Sequence, residues 1–500
     1  LQEQLSQLKN QLARLSDIRA AINVLEWDQE TYMPDGGSAS RADQLSTLEG
    51  LAHEFFTSDE MGSLLHELAA NLDQMDYDSD EASIIRVALR EHEKQVKVPA
   101  SLIQEIARVS ALGFQAWGQA RERDDFSIFE PLLSQIVDLK KQWAACYDPD
   151  DNLYDPLLDS FEPGITHRQI EAVFAGLKPP LIELVRAIGE NQDAVDDSVL
   201  GGHYEIATQK AFGSQVAAQL GYDFDRGRLD ESAHPFTIHF SRWDVRITTR
   251  FDPRNLMRAL MGTIHETGHA LYEQNTSPAL YRTTLANGAS TAVHESQSRL
   301  YENIIGRSRP FWTYFYPRLR EAFPHFEQVE AEAFYRAINK SEPSLIRVEA
   351  DEVTYGLHVI LRFEMENDLI NGRVQVADLP DEWNSRMEDY LGIVPPNDTL
   401  GVMQDIHWAK GYFGYFPGYL LGNLLSAQLW ARMRADMPDV DAQIESGQFE
   451  PILAWLVEHI HRHGMKYTLP ELTERVVGGE LAWQPYMNYL ETKFGEIYGL

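Results

Sequence analysis

His265 and His269 stand four positions apart with Glu266 beside the first, in "TIHETGHALYEQ" at 263–274. On a helix this spacing puts both imidazoles on one side, one turn apart, where they can hold a single ion. Glu266 projects about 100° round the helix from His265. It therefore stands near the ion without binding it, and can take a proton from a water polarised there. A random chain of this composition spells HExxH on the order of 4% of the time. The helix raises the motif above chance: Leu256, Leu260, Ile264 and Leu271 give it an apolar flank, and Asp252 with Pro253 reads as its cap and first turn. Gly268 costs helix propensity but thins the surface beside the two histidines.

Zinc hydrolases need three protein ligands and one open position. An extension with Gly at 272 and a third His at 275 is excluded, because the chain has Tyr272 and Asn275. The other option is a Glu from a following helix, and "STAVHESQSRLYENIIGRS" supplies Glu295. His294 beside it is the alternative. Adjacent residues point different ways on a helix, and only one is needed.

The elements that must position these side chains are mainly helices. Amphipathic periodicity predicts helices over 1–25, 39–75, 80–123 and 127–147, then over 165–220, 253–275, 289–307, 310–340, 355–372 and 401–435, with short helices from 450 to 500. One stretch breaks the pattern. "HPFTIHFSRWDVRITTRF" at 234–251 alternates and is rich in Thr, Ile, Phe and Val, which predicts a two-stranded hairpin. A small sheet beside a metal helix can offer a free edge to an extended peptide. No fixed-period repeat or low-complexity linker divides the chain, so a single catalytic domain over 1–500 is expected.

Composition narrows the partners. Asp and Glu number 77 against 43 Lys and Arg, a net charge of -34 that repels nucleic acid and anionic membranes. The one cysteine, Cys146, allows no internal disulfide. No stretch reaches the roughly 18 uncharged apolar residues of a membrane span, and the leading "LQEQLSQLKNQLARLSDIRA" has no apolar signal core. A cytoplasmic location is expected.

Eight short strings occur in one order: "WDQETYMP" at 27–34, "YDPLLDSFEPG" at 154–164, "HPF" at 234–236, "DVRIT" at 244–248, "HETGH" at 265–269, "HESQ" at 294–297, "IRVEAD" at 346–351 and "GVMQDIHW" at 401–408. In these strings and their order the chain resembles the carboxypeptidase Taq family of zinc metallocarboxypeptidases. The resemblance implies a mostly helical, two-lobed gluzincin fold around a deep groove, like neurolysin and angiotensin-converting enzyme, with a small sheet near the site. It implies Glu295 as third ligand, Glu266 as catalytic base, one Zn2+ per chain (or another divalent ion such as Co2+) and a homodimer. In related gluzincins an acidic residue one turn past the ligand Glu helps to orient the site; here that position is Arg299, so another residue must orient the histidines.

Peptide hydrolysis at a metal creates a negative tetrahedral oxygen that needs donors beside the ion. The spacing of His407 and Tyr419 resembles the His-to-Tyr donor pair of thimet-like oligopeptidases, with Tyr412 and Tyr415 as rivals and core packing as the plain alternative. An exopeptidase working from the C-terminus must also bind a free carboxylate, a task suited to the planar fork of arginine. Arg347 of "IRVEAD" is favoured for it. Arg246 of "DVRIT", on the expected edge strand, is expected to close the groove or hold the substrate's end. Salt bridges to Asp351 and Asp244 are the plain alternatives. His234 of "HPF" is expected to contact substrate near the scissile bond.

The expected activity is removal of single C-terminal residues from peptides, with broad preference. Two alternatives stand beside it: an oligopeptidase cutting internal bonds in the same groove, and a helical peptide-binding protein without catalysis.

Overall fold

In the computed structural model, which describes residues 1–500, the chain opens with four helices, Gln2–Thr31, Ser38–Phe56, Asp59–Ala69 and Asp80–Lys97. Ser58 and Ser79 cap the third and fourth by accepting from the amides of Met61 and Ala82. These helices build their own core around Leu12, Leu65, Ile84 and Phe56, joined by Leu280 and Leu285 from a later loop. The expected 80–123 helix is two helices, because Pro99 holds Val98 extended (ψ 125°) and a new helix starts at Ala100.

The other helices surround a second, larger core that includes Phe174, Ile264, Tyr301, Phe315, Leu361 and Leu424. Two further expectations are corrected. The 165–220 run is broken between His167–Gly189 and Ile206–Leu220, and the helix expected from 401 begins only at Phe416, with Pro417 in its first turn. Leu379–Leu391 is a helix that periodicity did not single out.

The expected hairpin is present as β2 (Thr237–Ser241) and β3 (Asp244–Thr249), antiparallel, with Thr237 opposite Ile247. A third strand, β1 (Leu229–Glu231), pairs parallel to β3, so the order is β1-β3-β2. This corrects the placement of Arg246: β3 is the central strand, and β1 and β2 are the edges. No helix of the chain is long and apolar enough to cross a membrane.

Candidate metal centre

The helix Leu256–Gln274 carries the HExxH motif, and Leu256, Leu260, Ile264 and Leu271 are all buried along it. Its cap is Asn255 rather than Asp252. The Asn255 side chain accepts from the amide of Arg258, while Asp252 closes a local turn with the amide of Arg254. Gly268 has a specific reason to be there. A Cβ would stand 2.6 Å from the carbonyl oxygen of Gln297 and 2.7 Å from Cα of Ser298, so only glycine lets this helix lie against Thr291–Arg299.

That contact brings Glu295 to the histidines. Its Oε2 lies 3.7 Å from Nε2 of His265 and 3.4 Å from Nε2 of His269. One donor atom from each of the three falls within a 4.8 Å group. Two atoms bound at about 2.0–2.1 Å to one tetrahedral ion stand about 3.4 Å apart, so this donor set fits a metal.

Each donor is aimed by a neighbour. Nδ1 of His265 meets Oε2 of Glu302 at 2.8 Å. Arg299 bonds Glu295 Oε1 through Nε at 2.6 Å and Glu302 Oε2 through Nη1 at 3.2 Å, tying both carboxylates to one guanidinium. Burial alone raises the Glu302 carboxyl, but Arg299, His265 and Arg307 outweigh it and hold it at about 2. Glu295 is likewise held well below the carboxylate range, against burial, by Arg299 and the two histidines. Burial lowers His269 to about 4, although Glu295 opposes this, so its ring is neutral and its lone pair is available. Nδ1 of His269 faces Nδ1 of His294 at 2.6 Å, and Nε2 of His294 faces Oε1 of Glu273 at 2.6 Å. His294 therefore points away from the convergent donors, leaving Glu295 as the third member of the group.

The sequence pattern does not by itself single out Glu302, Glu273 or His294 as orienting groups. Two carried a signal: Glu273 is one turn past His269, and Glu302 is two turns past Glu295, on the same helix faces. The chain after Arg299 continues as a π-helical turn, Leu300–Ile305, which carries Glu302.

Glu266 stays outside the metal group. It is 5% exposed, and its Oε2 accepts from Oγ1 of Thr237 on the edge strand β2 at 2.7 Å. Burial raises its pKa, against lowering by His265 and Thr237, which makes it a stronger base than a surface carboxylate. A groove of about 830 Å³ lies over this centre. Arg19, Asn23 and Glu91 of the first helical group line it together with Glu266, Glu295 and Tyr419.

Tyr419 is on Phe416–Asp436, a helix that packs tightly on the Glu295 helix because a Cβ at Gly422 would meet Cβ and Cγ of Glu295 at 2.8 Å. Its hydroxyl lies 3.5 Å from Nε2 of His407. Tyr415 also lines the groove, whereas Tyr412 is exposed and outside it, so the rivals narrow to one. Arg347 is 5% exposed and lies behind Tyr419, its guanidinium 4.9 Å from that ring's centre. Its ion-pair partner is Asp405, not Asp351: Nε and Nη2 bond Asp405 Oδ1 at 3.1 and 2.9 Å, and Nη1 reaches the Tyr355 hydroxyl at 3.2 Å. Asp351 instead accepts from Ser341 and Thr354. Arg246 is held by both oxygens of Asp244, at 2.9 and 2.8 Å, under the Trp27 ring. His234 is exposed, and neither it nor Arg246 lines the groove, although Pro235 does.

The sequence profile of the family described as carboxypeptidase Taq (M32) metallopeptidase matches residues 7–494. Carboxypeptidase 1 of Bacillus subtilis (strain 168) is 41% identical over 488 residues, which are 97% of each chain. Thermostable carboxypeptidase 1 of Thermus thermophilus is 38% identical across 99% of each chain. Among solved structures, the M32 carboxypeptidase from Deinococcus radiodurans R1 superposes with a TM-score of 0.97 at 39% identity, covering 100% of both chains.

Proposed function

This chain belongs to the carboxypeptidase Taq (M32) family of metallopeptidases, and within it we propose a zinc-dependent enzyme that trims peptides one C-terminal residue at a time with broad preference. The observation that carries this reading is the convergence of His265 Nε2, His269 Nε2 and Glu295 Oε2 beside a buried Glu266 in an open groove. Two imidazole nitrogens and one carboxylate oxygen at these separations suit zinc. The ion, when bound, makes a water more acidic and polarises the peptide carbonyl.

The chain's own residues do the remainder. Glu266 takes the water's proton, and Thr237 keeps its carboxylate in one orientation. Tyr419, with His407 beside it, donates to the oxygen that gains negative charge. Behind that tyrosine, Arg347 and Arg362 share the single carboxylate of Asp405. Burial keeps the neighbouring His358 and His407 neutral, at about 3 and about 4. One positive charge is thus left over behind Tyr419, which supports a pull on a terminal carboxylate. Arg347 is not among the groove-lining residues and is held by Asp405 and Tyr355, so it reaches that carboxylate by exchanging one of these bonds. Arg246, held by its Asp244 pair, is assigned to closing the groove or holding the substrate's end, and His234, next to the groove-lining Pro235, to contacting substrate near the scissile bond.

The two separate cores on either side of the groove support a two-lobed arrangement within one catalytic unit over 1–500. A homodimer and a cytoplasmic location complete the proposal. Metal analysis of the purified chain tests its base: we expect one zinc per chain, with tight binding lost in His265→Ala, His269→Ala and Glu295→Ala. Full metal content in those variants contradicts it.

A further inference from the structure

The two histidines of the motif are oriented by different means. His265 meets a carboxylate directly, through Glu302, whereas His269 meets a second imidazole. The bond between Nδ1 of His269 and Nδ1 of His294 contains one proton, so one ring donates and the other accepts. Only one arrangement leaves the lone pair of His269 Nε2 free to face Glu295. His269 must donate from Nδ1, His294 must accept at Nδ1, and Nε2–H of His294 must then donate onward. It has a fitting acceptor in Oε1 of Glu273 at 2.6 Å. Glu273 is 3% exposed, and the amide of Gly288 donates to the same oxygen at 3.3 Å, which fixes this end of the chain as an acceptor. Its other oxygen faces Nδ1 of His239, on the edge strand β2, at 3.6 Å.

We propose that His294 and Glu273 form a positioning relay that sets the tautomer and ring orientation of His269, with the buried carboxylate as its fixed end. This builds on the reading of His269 as a metal donor. Both relay residues border the groove but lie outside the convergent donor group. Their effect is to make His269 a competent donor, which is a different part from that of Glu295, the neighbour of His294 in sequence.

The test is zinc affinity of the full chain by chelator competition, together with the visible spectrum of the cobalt-substituted form. His294→Leu and Glu273→Leu should each weaken zinc binding about 10–100-fold and alter the cobalt spectrum. The double variant should lose no more than about twofold beyond the worse single one, because both changes break the same chain. His294→Gln offers an amide acceptor and donor and should recover most of the loss. Glu273→Gln should also bind more tightly than Glu273→Leu, since the Gly288 amide keeps an oxygen at the accepting position.

Losses that multiply in the double variant, Leu variants within twofold of the parent, or a His294→Gln variant that binds no better than His294→Leu would each overturn the relay. If the Leu variants do not fold, proton spectra of the unaltered cobalt form decide. Both metal histidines should show hyperfine-shifted, slowly exchanging Nδ1–H signals, and a missing second signal rejects the relay. A parent chain that binds no metal would instead reject the metal centre itself.

Discussion

Oε2 of Glu302 lies 2.8 Å from Nδ1 of His265, seven residues beyond the carboxylate that faces the far side of the same ring. The two glutamates hold the imidazole from opposite edges. One fixes its proton on Nδ1, and the other shares the point toward which its free nitrogen is directed. Removing the first should therefore damage the second's site. Glu302→Ala should weaken zinc binding about 10–100-fold, and Glu302→Gln, which keeps an oxygen acceptor, should cost less. Chelator competition reads both. An unchanged dissociation constant in Glu302→Ala would mean that His265 is held by packing alone.

Glu266 separates base from ligand. Its Oε2 is bonded to Thr237 and it is outside the convergent group, so Glu266→Gln should keep zinc and fold. Turnover should fall roughly 10²–10⁴-fold, the usual worth of a general base. Near-normal turnover in the metal-loaded variant would remove Glu266 from the reaction.

Tyr419 and Tyr415 both reach the groove, and only one is assigned as donor. Tyr419→Phe should lower kcat about 10²–10³-fold with little change in KM, the loss expected for one oxyanion donor. Tyr415→Phe should leave kcat within a few-fold. If the losses are exchanged, so is the assignment.

Glu162 gives a prediction for pH. It is fully buried in the "DSFEPG" stretch, where its carboxylate accepts from the Ala292 amide at the start of the Glu295 helix. Burial pushes its pKa up to about 8, with Ser290 and Ala292 opposing. An unfolded glutamate titrates near 4.5. Between these values the folded chain keeps a proton that the unfolded chain has released, so stability falls as pH rises through the window. Glu162→Gln has no such proton. Its melting temperature relative to the parent should improve from pH 5 to pH 8.5, measured in the same metal state. A difference independent of pH would show that Glu162 ionises freely.

The helix that carries HExxH was legible because its pattern is local: i and i+4 share a face whatever surrounds the helix, and a buried apolar flank marks the other side. Glu295 was legible as one of two adjacent candidates with His294, and the family resemblance favoured it. The hairpin could be read from its alternation, but not its neighbour β1, since three residues carry too little pattern. What orients the donors was hidden because it joins distant segments. Glu273 meets His294 across 21 residues, and Arg347 meets Asp405 across 58. Nearby acids, Asp351 for Arg347 and Asp252 for the helix cap, were the natural local partners. The fold spends them on other backbone and hydroxyl donors. Arg299, standing where an acid was expected, makes sense only once Glu295 and Glu302 are seen to share its guanidinium.

The most direct measurement is mass spectrometry of one peptide in two forms, a free C-terminal acid and a C-terminal amide, after incubation with the zinc-loaded chain. The free acid should shorten one residue at a time. The amide should react about 30 to 1,000 times more slowly, because it offers no charge for the surplus cation at Arg347, a contact worth about 2–4 kcal/mol. Arg347→Ala should erase that difference by slowing only the free acid. Rapid internal cleavage of the amidated peptide by the unaltered enzyme would contradict stepwise trimming and replace it with oligopeptidase action.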